Sequence, residues 1–250
     1  MRPSTGSNSW NPLMKPRKRA SRERLPFEAV ILDMDGVMVD SEHQWLRAEG
    51  PFLSRLIGRW GPEDHRHVVG LSVVDLYHRL VRAYGLKLGK ADFLRRCEVL
   101  ARQIYGRKVT LTPGLREFLS SYRRRRLPLA LASSSPASWV AMVLDRFHLR
   151  RIFAAVVTGD DAPGRTKPAP DLYLLAATKL GIPPNRCLAV EDSAIGVRAA
   201  RAAGMFCVGL RTGFNDEQNL GGADLEVRGF SGLLQAVSGL SLCQMSNIKT

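Results

Sequence analysis

Short runs of apolar residues alternate along the chain with segments of helical periodicity, from Phe27 onward. Five of these runs are apolar at consecutive positions, which is typical of strands that are buried on both faces. They span 27–33, 127–135, 152–160, 187–193 and 205–210. Segments of helical length separate the later runs, and two of them, 170–181 and 193–204, end at a glycine. The pattern therefore predicts an α/β fold, with a parallel sheet covered by helices on both sides.

One long interval interrupts this alternation. Between the first and second runs the periodicity predicts only helices, at about 42–58, 63–69, 73–84 and 91–106, before a further helix at about 113–125. We interpret the interval as a helical cap domain inserted after the first strand. The predicted organisation is a tail at 1–25, a core formed by 26–41 and 111–240, and a cap at 42–110.

The composition is that of an ordinary globular protein, with 45% hydrophobic and 24% charged residues. The chain contains no run of about 18 apolar residues, so no membrane partner is expected. The four cysteines form no C-x-x-C pair, which disfavours a zinc site or a disulfide framework. We therefore expect a monomeric protein of the reducing cytoplasm.

The net charge of +14 is unevenly distributed. Residues 1–25 carry seven Lys or Arg and one Glu, and they therefore hold +6 of this charge. We interpret them as a disordered, solvated tail without a specific nucleic-acid partner. A protein that binds polyanions through this tail and through Arg123–Arg126, with a vestigial core, remains an alternative.

Polar side chains follow four of the predicted strands. Asp33 and Asp35 follow the first, Ser133–Ser135 the second, and Glu191–Asp192 the fourth, while Lys167 lies beyond the third. Because ligands of open α/β sheets bind beyond the carboxyl ends of the strands, we expect these side chains to converge at one rim.

The clustered carboxylates indicate a bound cation. Two unit charges 4 Å apart at an effective dielectric constant of 20 interact by about 4 kcal/mol, so several acids at one rim require positive partners. Lys167 supplies one charge, and Mg²⁺ suits a site of few carboxylates that also receives a phosphate ligand. The five histidines match no zinc motif, and we interpret them as surface or core residues.

A phosphoryl group accounts for the remaining residue types. Asp33 can attack phosphorus as a nucleophile, and Asp35 can act as the general acid and base. Ser133, with Ser134 beside it and nearby backbone N–H groups, can hold the phosphate oxygens. Lys167 can neutralise the charge of the transition state.

Four segments, "DMDGVMVDSE", "LASSS", "TKPAPD" and "VEDSAIGVRAARAAGM", resemble the motifs of the haloacid dehalogenase superfamily. The resemblance covers residues 27–238 and is greatest to the branch of β-phosphoglucomutase and sugar-phosphate phosphatases. It implies a Rossmann-like core with a helical cap that closes over the substrate. It also implies a Mg²⁺ site formed by Asp33, the backbone carbonyl of Asp35 and Asp192, with Glu191 in or beside the first shell.

At three places the sequence differs from the mutases of that branch, and these differences favour a phosphatase. Trp45, Val73 and Pro136–Ala137 stand where mutases of the β-phosphoglucomutase type carry a His, an Arg and Lys-Asn. A mutase must hold a second phosphate, so we expect a phosphatase acting on a small phosphorylated metabolite, with a mutase as the alternative. His43, Trp45, Arg47 and the loop 71–74 are the cap residues expected to face the substrate.

Overall fold

The computed structural model describes residues 26–68 and 71–239, so the predicted basic tail lies outside the described residues. The described chain forms a parallel sheet with helices on both faces. Its strands are β1 (Ala29–Leu32), β2 (Leu129–Ala132), β3 (Ala155–Val157), β4 (Cys187–Glu191), β5 (Phe206–Arg211) and β6 (Leu225–Arg228). The predicted α/β class, with a Rossmann-like parallel sheet, is confirmed.

The strand order is β3–β2–β1–β4–β5–β6, and every neighbouring pair is parallel. The chain builds outward from β1 in one direction and then returns to its other side with β4. The order therefore reverses between β1 and β4, where Leu32 is in register with Val190. Parallel α/β sheets open a crevice at this point, beyond the carboxyl ends of the strands.

Successive residues of β1 face opposite sides of the sheet, as the pleat requires. Val30 and Leu32 pack into a core rich in aromatic and large aliphatic side chains. Ala29 and Ile31 pack on the other face into a core in which alanines predominate. All four are fully buried, so the apolar run that predicted the first strand reflects burial on both faces.

Nine α-helices lie within the described residues. They are α1 (Ser41–Ile57), α2 (Pro62–Arg66), α3 (Val73–Tyr84), α4 (Lys90–Gln103), α5 (Leu115–Arg125), α6 (Ala137–Arg146), α7 (Asp171–Leu180), α8 (Ala194–Ala202) and α9 (Gly229–Gly239). None of them is both long and apolar enough to cross a membrane.

The first four helices form the insertion between β1 and β2. A π-helical turn, Ile104–Lys108, follows α4 and leads the chain back towards the sheet. Such turns are frequent at functional sites. This one places a fully buried tyrosine, Tyr105, beneath the helices of the insertion.

The pattern of apolar runs predicts five strands and does not indicate β6. β6 is an edge strand in which half-buried Leu225 and Val227 alternate with exposed Glu226 and Arg228. A continuous apolar run marks a strand that is covered on both faces, and a four-residue edge strand carries no such run.

Candidate active site

Asp33, Lys167 and Glu191 meet at the switch point of the sheet. Asp33 directly follows β1, and Glu191 is the last residue of β4. Lys167 Nζ donates a hydrogen bond to Asp33 Oδ1 and another, of 2.6 Å, to Glu191 Oε1. All three side chains are buried. The charges of Asp33 and Glu191 raise the pKa of Lys167 even though burial alone would lower it, so the ammonium is retained at neutral pH.

Glu191 is held in one orientation by its neighbours. The Tyr173 hydroxyl donates a 2.5 Å hydrogen bond to Oε1, and the Asp192 backbone N–H donates to Oε2 at 3.2 Å. The carboxylate also lies against Gly196 of α8, where an added Cβ would meet Oε2 at 1.9 Å. Only a glycine allows α8 to approach this closely, and the fixed Glu191 in turn orients Lys167.

Asp35 points towards the cap and not into the Asp33 cluster. Its Oδ1 accepts a 2.6 Å hydrogen bond from the Tyr105 hydroxyl, and its Oδ2 accepts a 2.7 Å bond from Ser135 Oγ. The indole N–H of Trp45 on α1 donates to the Tyr105 oxygen at 3.0 Å. A chain of hydrogen bonds thus runs from a cap helix through the π-helical turn to Asp35.

The serines after β2 have separate roles. Ser133 Oγ is buried and accepts a 3.0 Å hydrogen bond from the Ser135 backbone N–H, which stabilises the turn. Ser134 lines the cavity above the sheet, and its buried hydroxyl has no hydrogen-bond partner among the described residues. A buried hydroxyl without a partner costs free energy, so Ser134 is suited to bind a ligand oxygen.

Carboxylate oxygens of Asp33, Glu191 and Asp192 lie within 4.8 Å of one another, and all three residues are buried. Burial raises the pKa of Asp192 well above its ordinary value, and the negative charge of Asp33 raises it further. Burial likewise raises the pKa of Asp33, against the opposing charge of Lys167. A single ammonium compensates only part of this negative charge, so the donor set fits a hard divalent cation.

Gly36 allows the Asp192 carboxylate to lie against the first loop. Its φ is +73°, and an added Cβ would come within 1.8 Å of Asp192 Oδ2. The residue after Asp35 must therefore be glycine for two reasons, the left-handed backbone and the close approach of the carboxylate.

A cavity of about 800 Å³, including its open mouth, lies between this rim and the cap. Trp45 and, from the predicted loop, Leu71 and Val73 line it. His43 and Arg47 are not part of the lining. The His43 ring packs against Phe214 with 5.4 Å between centroids, and Arg47 is exposed.

Several residues of this cavity were not predicted from the sequence, among them Glu42, Glu49, His65 and Tyr105. Tyr105 contacts Asp35, while Glu49 and His65 line the cap end of the cavity. Glu49 stands four residues after Trp45, so helical periodicity could have indicated it. Nothing in the local sequence of Tyr105 or His65 indicates their position.

Comparison with known proteins identifies related chains. A family model described as haloacid dehalogenase-like hydrolase matches residues 27–204. A phosphorylated carbohydrates phosphatase of Thermotoga maritima is 33% identical over 180 residues, which are 72% of this chain and 82% of that protein. Hexitol phosphatase B of Escherichia coli is 35% identical over 185 residues, 71% of this chain and 80% of that protein.

The fold is also that of a solved structure. The crystal structure of CbbY from Rhodobacter sphaeroides, in complex with phosphate, has a TM-score of 0.71 and 27% sequence identity to this chain. The match covers 80% of this chain and 93% of CbbY.

Proposed function

This chain belongs to the haloacid dehalogenase-like hydrolases and is a phosphoric monoester hydrolase, and we propose that it is a Mg²⁺-dependent phosphatase of sugar phosphates or similarly small esters. The observation that carries the proposal is the meeting of Asp33, Lys167 and Asp192 on the floor of one cavity. This arrangement supplies a nucleophile, a fixed positive charge and a ligand for a divalent cation.

Asp33 is the proposed nucleophile. One of its carboxylate oxygens attacks phosphorus, the bond from phosphorus to the ester oxygen breaks, and an aspartyl phosphate forms. Asp35 gives its proton to the departing alkoxide and afterwards removes one from the water that hydrolyses the aspartyl phosphate. The hydrogen bonds from Tyr105 and Ser135 orient Asp35 for both transfers.

The phosphoryl oxygens are proposed to bind Lys167 and the Ser134 hydroxyl. Both line the cavity, and the buried Ser134 hydroxyl lacks a partner among the described side chains. Lys167 forms ion pairs with both Asp33 and Glu191, which hold its ammonium group in position. The negatively charged phosphoryl group would therefore meet a positive charge that is already fixed. Such fixed charges stabilise a transition state without reorganisation.

Asp33, Asp192 and the backbone carbonyl of Asp35 are the proposed ligands of Mg²⁺, with Glu191 in or beside this set. When bound, the ion supplies positive charge that screens the phosphoryl oxygens from the carboxylates. The Asp35 side chain is directed at Tyr105 and Ser135, which leaves its backbone carbonyl as the group available to an ion.

The related proteins support a phosphorylated sugar or polyol as the substrate. Two of them are named for phosphorylated carbohydrates and for hexitols, and each spans more than two thirds of this chain. The cavity opens between the strand ends and the cap, where such a ligand would bind.

The proposal is tested with purified protein and p-nitrophenyl phosphate, with Mg²⁺ and after chelation with EDTA. We expect hydrolysis that requires Mg²⁺ and that falls at least about a thousandfold in Asp33→Asn, because an amide cannot attack phosphorus. Asp145→Asn is the matched control, since Asp145 is exposed and pairs with Arg150. Hydrolysis by Asp33→Asn near the wild-type rate would refute the mechanism, and an inactive wild-type protein would favour the polyanion-binding alternative.

A further inference from the structure

A polar cluster, which we call the cap cluster, lies where helices α1 and α2 form the cap end of the cavity. His65 of α2 and Glu49 of α1 are joined by a 2.6 Å hydrogen bond between Nδ1 and Oε2. Both line the cavity, although Glu49 is 6% exposed and the His65 side chain 12% exposed. A buried ion-pairing group that faces a cavity is a candidate for ligand recognition.

Glu42 contributes a second carboxylate to the cluster. Glu42, Trp45 and Glu49 follow one another at helical spacing on α1, and all three line the cavity. Glu42 Oε2 lies 3.9 Å from His65 Nε2, which is wider than a hydrogen bond. A ligand hydroxyl on the cavity side of these two atoms can bridge them, donating to the carboxylate oxygen and accepting from the imidazole.

The walls around the cluster are apolar. Val68, Leu71, Val73 and Leu76 of the cap line the same cavity. In such surroundings a few placed polar groups fix the orientation and the identity of the ligand. The Glu49–His65 pair is therefore the part of the cap that can distinguish one leaving group from another.

We propose that the cap cluster binds the hydroxyl groups of an uncharged, polyhydroxylated leaving group and rejects a second anion at that end. This inference rests on the proposed phosphatase activity and specifies its substrate class. Glu49, oriented by His65, accepts a hydrogen bond from the terminal hydroxyl. The Glu49 carboxylate repels a carboxylate or a second phosphate at the same place.

The charges of the cavity support this selectivity. Among the lining side chains that the structure describes, Lys167 and His65 are the cations, whereas Glu42, Glu49 and the catalytic aspartates are acidic. Lys167 is already engaged by Asp33 and Glu191 on the floor of the cavity. Of these described side chains, His65 is the one cation that an anion at the cap end could pair with, and Glu49 already holds it.

The test uses two substrates that differ only at the carbon farthest from the phosphate. Sorbitol 6-phosphate carries a hydroxymethyl group there, and 6-phosphogluconate carries a carboxylate. We expect the wild-type protein to show a kcat/KM at least tenfold higher for sorbitol 6-phosphate. Equal values, or a preference for 6-phosphogluconate, would overturn the inference.

Two variants assign the preference to the cluster. In Glu49→Gln and in His65→Gln we expect the ratio of the two kcat/KM values to fall at least fivefold. Because each ratio is taken within one preparation, a partly unfolded variant does not distort it. Glu117→Gln, at an exposed position of α5, is the matched control and should keep the wild-type ratio. An unchanged ratio in both cluster variants would contradict the assignment.

p-Nitrophenyl phosphate separates the two levels of the argument. If the wild-type protein hydrolyses it but does not prefer sorbitol 6-phosphate, the phosphatase activity stands and the substrate inference is wrong. If the protein hydrolyses no ester, the proposed function is wrong and the substrate inference falls with it.

Discussion

The Tyr105 hydroxyl donates a 2.6 Å hydrogen bond to Asp35 Oδ1, although 70 positions separate the two residues. The tyrosine lies on the π-helical turn through which the cap returns to the core. Its oxygen also accepts a hydrogen bond from Trp45. Trp45, at the position where the family resemblance places the histidine of mutases, is therefore connected to Asp35 through a tyrosine.

We predict that Tyr105→Phe lowers kcat about tenfold to a hundredfold and leaves KM almost unchanged. The variant loses one hydrogen bond to a carboxylate, which is worth about 1.5–3 kcal/mol, and it keeps the ring that packs against Trp139. Steady-state kinetics with p-nitrophenyl phosphate measure the two parameters separately.

Tyr84→Phe is the matched control for this prediction. Tyr84 also donates its hydroxyl to a carboxylate in the cap, that of Asp64, but neither residue lines the cavity. We expect this variant to keep the wild-type kcat. A similar loss of kcat in both variants would show that Tyr105 stabilises the cap and does not position Asp35.

We predict that Asp192→Ala weakens Mg²⁺ binding at least tenfold, because it removes one of the three clustered carboxylates. Isothermal titration of Mg²⁺ into the protein measures this directly, without reference to turnover. Asp216→Ala removes an exposed carboxylate that pairs with Arg228, and its Mg²⁺ affinity should equal that of the wild type. Wild-type affinity in Asp192→Ala would remove this residue from the proposed ligand set.

We predict release of inorganic phosphate, and no mutase activity, from β-glucose 1-phosphate. The apolar side chain of Val73, at the position where the family resemblance places an arginine of mutases, lines the cavity. The backbone N–H of Ala137 donates a 2.9 Å hydrogen bond to Asp160 Oδ2, so this donor is not available to a ligand. Without these contacts a sugar bisphosphate should bind poorly and should not stimulate turnover. Faster formation of glucose 6-phosphate than of inorganic phosphate would favour the mutase.

We predict that His65 stabilises the fold more at low pH than at high pH. Burial lowers the pKa of His65, but the hydrogen bond and charge of Glu49, with the charge of Glu42, outweigh this effect and raise the pKa. A histidine whose folded pKa is raised stabilises the protein fully below its unfolded pKa of about 6.5. That stabilisation is lost as the pH rises through the folded value.

Urea unfolding of wild type and His65→Gln at pH 6 and pH 9 checks this prediction. The difference in free energy of unfolding should be larger at pH 6. His78→Gln, at an exposed position of α3, should change the free energy little at either pH. A difference that grows towards pH 9 would show that the neutral imidazole is the stabilising form.

Much of the fold follows from local patterns in the sequence. The helix predicted over 73–84 coincides with α3, and Ser193 caps α8 by accepting a hydrogen bond from Gly196 N–H at 3.1 Å. These features depend on side chains a few positions apart. β6 depends instead on pairing with β5 across a loop, and its alternating sequence does not distinguish it from a loop.

The sequence by itself determined that Asp33 and Asp192 meet at the rim, but not that the Asp35 side chain points towards the cap. Asp33 follows β1 and Asp192 follows β4, and parallel pairing of these strands brings their carboxyl ends together whatever the details of packing. A strand that is buried on both faces can be recognised from its own residues. The position of the polar side chain that follows it is then known as well.

Only the tertiary structure decided how the cap completes the cavity. Tyr105 reaches Asp35 from 70 residues away, and His65 reaches Glu49 from a separate short helix. The packing angles of the cap helices and the π-helical turn determine these contacts. No periodicity in the sequence indicates the contacts. The residues that act at the strand ends can therefore be identified from the local sequence. The residues proposed to recognise the leaving group come from distant segments, and their positions depend on how those segments pack.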